Sequence, residues 1–84
     1  MHTTYILESV KNKKYYIGST DNLAKRLNHH NHGYSRYTKG KGPFMLIYKE
    51  DYLTRSEAKK REYYLKSLKS RTAIERIIKD AVFV

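Results

Sequence analysis

Tyr15-Tyr16-Ile17-Gly18-Ser19-Thr20-Asp21-Asn22-Leu23-Ala24-Lys25-Arg26-Leu27-Asn28-His29-His30 is the stretch on which the fold turns. It opens on β-favouring residues and closes on a helical pattern. Tyr15, Tyr16 and Ile17 are aromatic or β-branched and suit a pleated strand. Past Gly18-Ser19-Thr20 the period changes, because Leu23 and Leu27 stand four apart and so share one side of a helix. Asp21 is the expected N-cap, and His32-Gly33 the expected stop, with Gly33 available for a left-handed cap.

Toward the N-terminus, Thr4-Tyr5-Ile6-Leu7-Glu8-Ser9 is a second strand-forming run. The polar stretch Val10–Lys14 between the two contains the turn-prone Asn12. Two such runs around a short polar segment predict a β-hairpin. Toward the C-terminus, residues 34–43 are rich in Gly, Lys and Arg and read as a basic loop. Phe44-Met45-Leu46-Ile47-Tyr48 is the most apolar run of the chain and predicts a third strand continuing towards Tyr52. Thr54-Arg55-Ser56-Glu57 fits a capping box and starts a helix to about Lys69. Thr72-Ala73-Ile74-Glu75 repeats that pattern, predicting a last helix over 71–82 that carries Ile74, Ile77 and Ile78. The order β-β-α-β-α-α predicts an α+β fold, a small three-stranded antiparallel sheet flanked by helices, as a single domain over 1–84.

Composition narrows the function. The chain has no cysteine, which removes disulfides, thiolate metal sites and cysteine nucleophiles together. A membrane span needs ~20 apolar residues in a row, and no such run exists. The first residues lack the basic flank and apolar stretch of a signal peptide, so a soluble, cytoplasmic protein is expected. Eighteen Lys and Arg against eight Asp and Glu give a net charge of +10. The excess is spread along the chain: eight basic and two acidic side chains lie in 1–42, ten and six in 43–84. A domain positive throughout attracts polyanions, nucleic acid first. Nine tyrosines against two Phe and no Trp add groups that either stack on bases or pack amphipathically.

Helical spacing brings polar residues to places where apolar ones are expected. Positions 23, 26, 27 and 30 share a face, so Arg26 and His30 lie beside Leu23 and Leu27. Ala58, Glu62 and Leu65 share another, which puts a carboxylate inside an apolar stripe. A buried carboxylate is normally paired, metal-bound or at a cleft. A salt bridge to Arg26, or pairing with Lys59 and Lys66 along the helix, accounts for Glu62 without catalysis. Packing or capping does the same for His30. His29, His30 and His32 are too close together for spaced helix ligands, and no zinc site is expected. One Arg, one His, one Glu and several Tyr nonetheless suit phosphodiester hydrolysis. Arg clamps a phosphate, Glu holds a Mg²⁺ ion, and Tyr or His takes a proton from water.

These residues resemble the GIY-YIG nucleases. Of the first motif, Thr3-Thr4-Tyr5 keeps the tyrosine, and the second stands intact as Tyr16-Ile17-Gly18. Arg26 follows Tyr16 by ten residues, His30 follows by four more, and Glu62 lies in Arg61-Glu62-Tyr63-Tyr64-Leu65-Lys66. The resemblance covers about 4–68 and is nearest to short single-domain proteins related to the nuclease domain of the repair excinuclease. It implies a metal-dependent DNA endonuclease, of the kind used in DNA repair or recombination, with one divalent ion, Mg²⁺ or Mn²⁺. It further implies that Arg26 stabilises the transition state, His30 assists proton transfer and Glu62 ligates the metal. Tyr5 or Tyr16 is then the general base, with Tyr5 favoured, and Gly18 is structural. Ser19 stands where some excinuclease-type members carry a lysine, a burden that Lys14 or Lys39 would take up. DNA is the implied partner through its phosphates, with a protein partner as one source of specificity. The alternative is a non-catalytic nucleic-acid-binding module of the same fold.

Overall fold

The structure is a computed structural model that describes residues 1–31 and 42–82. Strands β1 (His2–Ser9) and β2 (Tyr15–Thr20) form the hairpin, followed by α1 (Leu23–Asn31), β3 (Phe44–Tyr52), α2 (Arg55–Leu68) and α3 (Arg71–Val82). This is the α+β order the sequence predicts. The sheet is antiparallel with β1 in the middle, in the order β2-β1-β3. The expected stop at Gly33 and most of the basic loop, with Lys39, lie outside the described residues.

Local chemistry explains the boundaries. In the hairpin, Lys13 takes a left-handed φ of 63°. Asn12 stabilises that turn by accepting the Lys14 N–H at 2.9 Å. Thr54 caps α2 as expected, accepting the Glu57 N–H at 3.2 Å, and Lys69 ends the helix in the left-handed region. Two caps sit elsewhere than the sequence suggested. Asn22, not Asp21, caps α1, accepting the Lys25 N–H at 3.0 Å. Thr20 holds Asn22 for this by accepting its N–H at 3.1 Å, which leaves Asp21 outside the cap. Ser70, not Thr72, caps α3, accepting the Ala73 N–H at 3.2 Å. The short link after Lys69 starts α3 early enough for Ser70 to be the last non-helical residue.

Alternation along β1 sends its side chains to both faces of the sheet. On one face Tyr5, Leu7 and Phe44 pack with Tyr16, Leu23 and Leu27, which seats α1. On the other, Ile6, Leu65 and Ile74 gather Ile17, Ile47, Leu68, Ile77 and Ile78, which seats α2 and α3. Fully burying an aliphatic side chain is worth ~1.5–3 kcal/mol, so Ile6, Leu7 and Leu65 anchor the two layers. The Thr4 hydroxyl donates to the Ala58 carbonyl at 2.7 Å and ties β1 to α2. A register shift between Ile6 and Leu7 puts Leu46 opposite Leu7 and Tyr48 opposite Ile6, so Ile47 is the extra residue of a bulge. The consequence for function is that α1 and α2 lie on opposite faces of the sheet, and residues of both line one cleft with β2.

Candidate active site

The β2 edge carries a cleft of about 940 Å³, and Tyr5, Tyr16, Arg26, His30 and Glu62 all line it. Four elements thus bring the sequence-predicted residues together. Gly18 makes this possible. It pairs with Tyr5 across the hairpin, and the Tyr5 ring lies over the space a side chain would fill. The bare backbone there leaves room for the Tyr5 ring at the wall of the cleft.

On the α1 face, the buried Tyr5 hydroxyl sits 3.2 Å from His30 Nε2. Burial raises the Tyr5 pKa, the nearby Arg26 charge partly offsets this, and Glu62 adds to the rise, so Tyr5 is a neutral phenol well above neutral pH. Burial lowers the His30 pKa, and the charges of Arg26 and His29 lower it further. A neutral imidazole leaves one ring nitrogen free of a proton, so in the Nδ1-protonated tautomer the Tyr5 O–H donates to Nε2. Tyr16 is placed differently. Its ring meets Phe44 edge-on with centroids 5.1 Å apart, and its oxygen accepts from Asn12 Nδ2 at 3.5 Å.

On the α2 face, Glu62 is 5% exposed. Its Oε1 accepts from Ser19 Oγ at 2.7 Å and Lys59 Nζ at 3.4 Å, and its Oε2 from Lys66 Nζ at 2.7 Å. Burial alone would raise its pKa, but the hydrogen bonds from Lys66 and Ser19 and the charges of both lysines hold it below the usual carboxylate range. The pairing is therefore with lysines of its own helix and not with Arg26. Arg26 is exposed on α1, close enough to Tyr5 and His30 to shift both.

Ser19 orients the carboxylate through its hydrogen bond to Oε1. The positive charge around Glu62 comes from Lys59 and Lys66, and Lys14 lines the same cleft. The Ser19 contact is not readable from spacing, because it joins a strand edge to a helix 43 residues later.

The GIY-YIG catalytic domain model matches residues 1–76, the whole of this site included. The chain belongs to the GIY-YIG family. It is 45% identical over 69 residues to the UPF0213 protein CPE1444 of Clostridium perfringens, covering 81% of this chain and 73% of that one. It is 40% identical over 68 residues to the UPF0213 protein OB0043 of Oceanobacillus iheyensis, covering 80% and 78%. Among solved structures, the solution NMR structure of the UPF0213 protein BH0048 of Bacillus halodurans is similar with a TM-score of 0.61. It shares 35% identity over 93% of this chain and 82% of that chain. This GIY-YIG domain thus has a nuclease-type fold. None of its described helices is long and apolar enough to cross a membrane.

Proposed function

We propose that this GIY-YIG domain is a metal-dependent endonuclease that hydrolyses DNA phosphodiester bonds in the cleft at the β2 edge. The observation that carries the reading is the hydrogen-bonded pair Tyr5–His30 facing an ionised Glu62 and the Arg26 guanidinium around one cavity. Tyr5 and His30 act as a relay. Tyr5 Oη accepts a proton from the attacking water while its own proton passes to His30 Nε2, in a ring whose burial disfavours its protonated form at rest. Tyr5 fills this role better than Tyr16, whose ring is packed on Phe44. Arg26 is an exposed, permanently charged fork beside that pair and stabilises the charge that builds on the phosphate oxygens.

Among the described residues no group of three or more His, Asp or Glu could hold a metal ion. The donor set is one ionised carboxylate, which suits Mg²⁺ or Mn²⁺ completing its shell with water and phosphate oxygens, and does not suit a closed zinc site. Glu62 would hold the ion, which supplies Lewis-acid activation of the phosphate and leaving oxygen. Lys59 and Lys66 must yield their hydrogen bonds to Glu62 for this, and both then stand free to meet phosphate. The basic surface positions DNA through its backbone without reading bases, so sequence choice falls to a partner protein or to DNA structure.

One observation favours the competing reading, a binding module without turnover: both Glu62 oxygens are already engaged by Lys59, Lys66 and Ser19. Single-turnover cleavage compared with binding separates the two. Arg26→Ala and Tyr5→Phe should each slow cleavage by ~10²–10³ while duplex affinity changes far less. Equal loss of binding and cleavage, or no cleavage by the wild type in any divalent metal, would favour the binding module.

A further inference from the structure

The cleft does not end at Ser19. A second cavity of about 260 Å³ opens beside it and shares Ser19, Arg26 and Lys59 with the first, continuing to Asp21 and Arg55. Three cations face this side cavity against one carboxylate. They are brought there by separate elements, Arg26 by α1 and Arg55 and Lys59 by the first turns of α2. Like Lys60 and Arg76, and unlike Arg61, Lys66 and Arg71, the two arginines of this cavity stand outside every described ion pair. Arg61, Lys66 and Arg71 are each tied to a carboxylate. Arg26 and Arg55 form no ion pair among the described residues, and Lys59 reaches only Glu62, at 3.4 Å. Two guanidinium groups on one small cavity repel each other, and Asp21, the one carboxylate lining it, forms an ion pair with neither.

We infer that this side cavity binds the phosphate next to the one in the main cleft, with Arg55 and Lys59 as its contacts and Arg26 standing between the two. Guanidinium forks match phosphate oxygens in geometry as well as charge. The shared wall of Ser19, Arg26 and Lys59 makes the two cavities successive stations along one backbone. The inference rests on reading the main cleft as the place of the scissile linkage. It adds that the DNA strand runs through both cavities, with the side cavity taking the neighbouring phosphate. It also assigns Arg55, which has no counterpart among the predicted catalytic residues, a role in holding that strand.

The test is fluorescence anisotropy of a labelled DNA duplex with the full chain in EDTA, over a series of KCl concentrations. It compares wild type with Arg55→Gln, Arg55→Lys and Lys60→Gln. Lys60 lies about 200° around α2 from Glu62 and so serves as a control for general charge. Arg55 is exposed and makes no described ion pair, so its variants should fold, and circular dichroism checks this. Arg55→Gln should lower affinity roughly tenfold at low salt and reduce the slope of log K against log salt by about one. Arg55→Lys should keep the slope, and Lys60→Gln should leave both nearly unchanged. Equal losses for Arg55→Gln and Lys60→Gln, or no duplex binding by the wild type, would overturn the inference. Binding of this pattern without cleavage under any metal condition would instead count against the nuclease reading and leave the side cavity standing. On a duplex that the wild type cuts, a neutral methylphosphonate at one of the two linkages flanking the cut should slow wild type and not Arg55→Gln. Equal slowing of both would overturn the placement.

Discussion

Placing a methyl group at Gly18 is the sharpest perturbation of the site that involves no catalytic atom. A β-carbon there would stand 2.7 Å from Tyr5 Cζ and 3.2 Å from Cε2, and would also collide with the phenolic oxygen. Carbon atoms in good contact are ~3.5–4.0 Å apart, so the ring must withdraw by about 1 Å. Tyr5 is only 3% exposed and packs with Leu7 and Phe44, so it has little room to move. Overpacking of this kind costs ~1–3 kcal/mol. Against it, replacing glycine removes freedom from the unfolded chain and returns ~0.4–1 kcal/mol. The net expectation for Gly18→Ala is a loss of about 1–2 kcal/mol. At ~4–8 °C per kcal/mol in a domain of this size, the unfolding midpoint should drop by roughly 5–15 °C. The same withdrawal lengthens the 3.2 Å contact between Tyr5 and His30, so cleavage should fall further than stability does. Thermal unfolding followed by circular dichroism would compare wild type, Gly18→Ala, Tyr5→Leu and the double variant. Tyr5→Leu removes the ring, so in that background Gly18→Ala should cost nothing or stabilise slightly. A Gly18→Ala midpoint at or above wild type, or the same cost in both backgrounds, would refute the packing argument.

Two further outcomes follow from charges held by the fold. Glu50 accepts from Tyr48 and Tyr52 and takes Arg61 Nε at 2.9 Å and Nη2 at 3.1 Å. Burial would raise its pKa, but these hydrogen bonds outweigh it and lower the value below 4.5. Its stabilisation is therefore complete above pH 4.5 and lost as pH falls through the lower folded value. Glu50→Gln should cost about 1–3 kcal/mol at neutral pH and flatten the acid limb of stability, measured by urea unfolding at several pH values. An unchanged acid limb would contradict this. For His30, the NMR titration of its ring protons should show a midpoint below 6.5, and cleavage should fall as pH drops through that midpoint, because protonated Nε2 no longer accepts from Tyr5. A midpoint above 6.5 would contradict the burial argument.

The elements were legible in the sequence where local chemistry decides them. The Thr54–Glu57 cap, the Leu23/Leu27 pair and the apolar run from Phe44 each act over a few residues, and each is realised. The buried stripe of Ala58, Glu62 and Leu65 was equally readable, since helical spacing alone places it. Cap identity was harder to read. Asp21 and Asn22 are equally good caps by type, and only the Thr20 turn selects Asn22. Partners across the fold were the least legible. The register that sets Tyr5 over Gly18, the Ser19–Glu62 bond and the second cavity at Arg55 all depend on how elements distant in sequence come together. That relation emerges from the sheet order and not from any local pattern. The family motifs pointed to Arg26, His30 and Glu62 and favoured Tyr5 over Tyr16, and the folded cleft adds that Tyr5 is hydrogen-bonded to His30 while Tyr16 is packed on Phe44.

The nicking of supercoiled plasmid and of branched or flapped DNA, with Mg²⁺, with Mn²⁺ and with EDTA, tests the nuclease reading most directly. Wild type would be compared with Glu62→Ala at matched, circular-dichroism-verified folding. Cleavage that requires the metal and disappears in Glu62→Ala, while duplex binding persists, is the result predicted. Cleavage in EDTA that survives in Glu62→Ala, or tight binding with no cleavage under any condition, would contradict it.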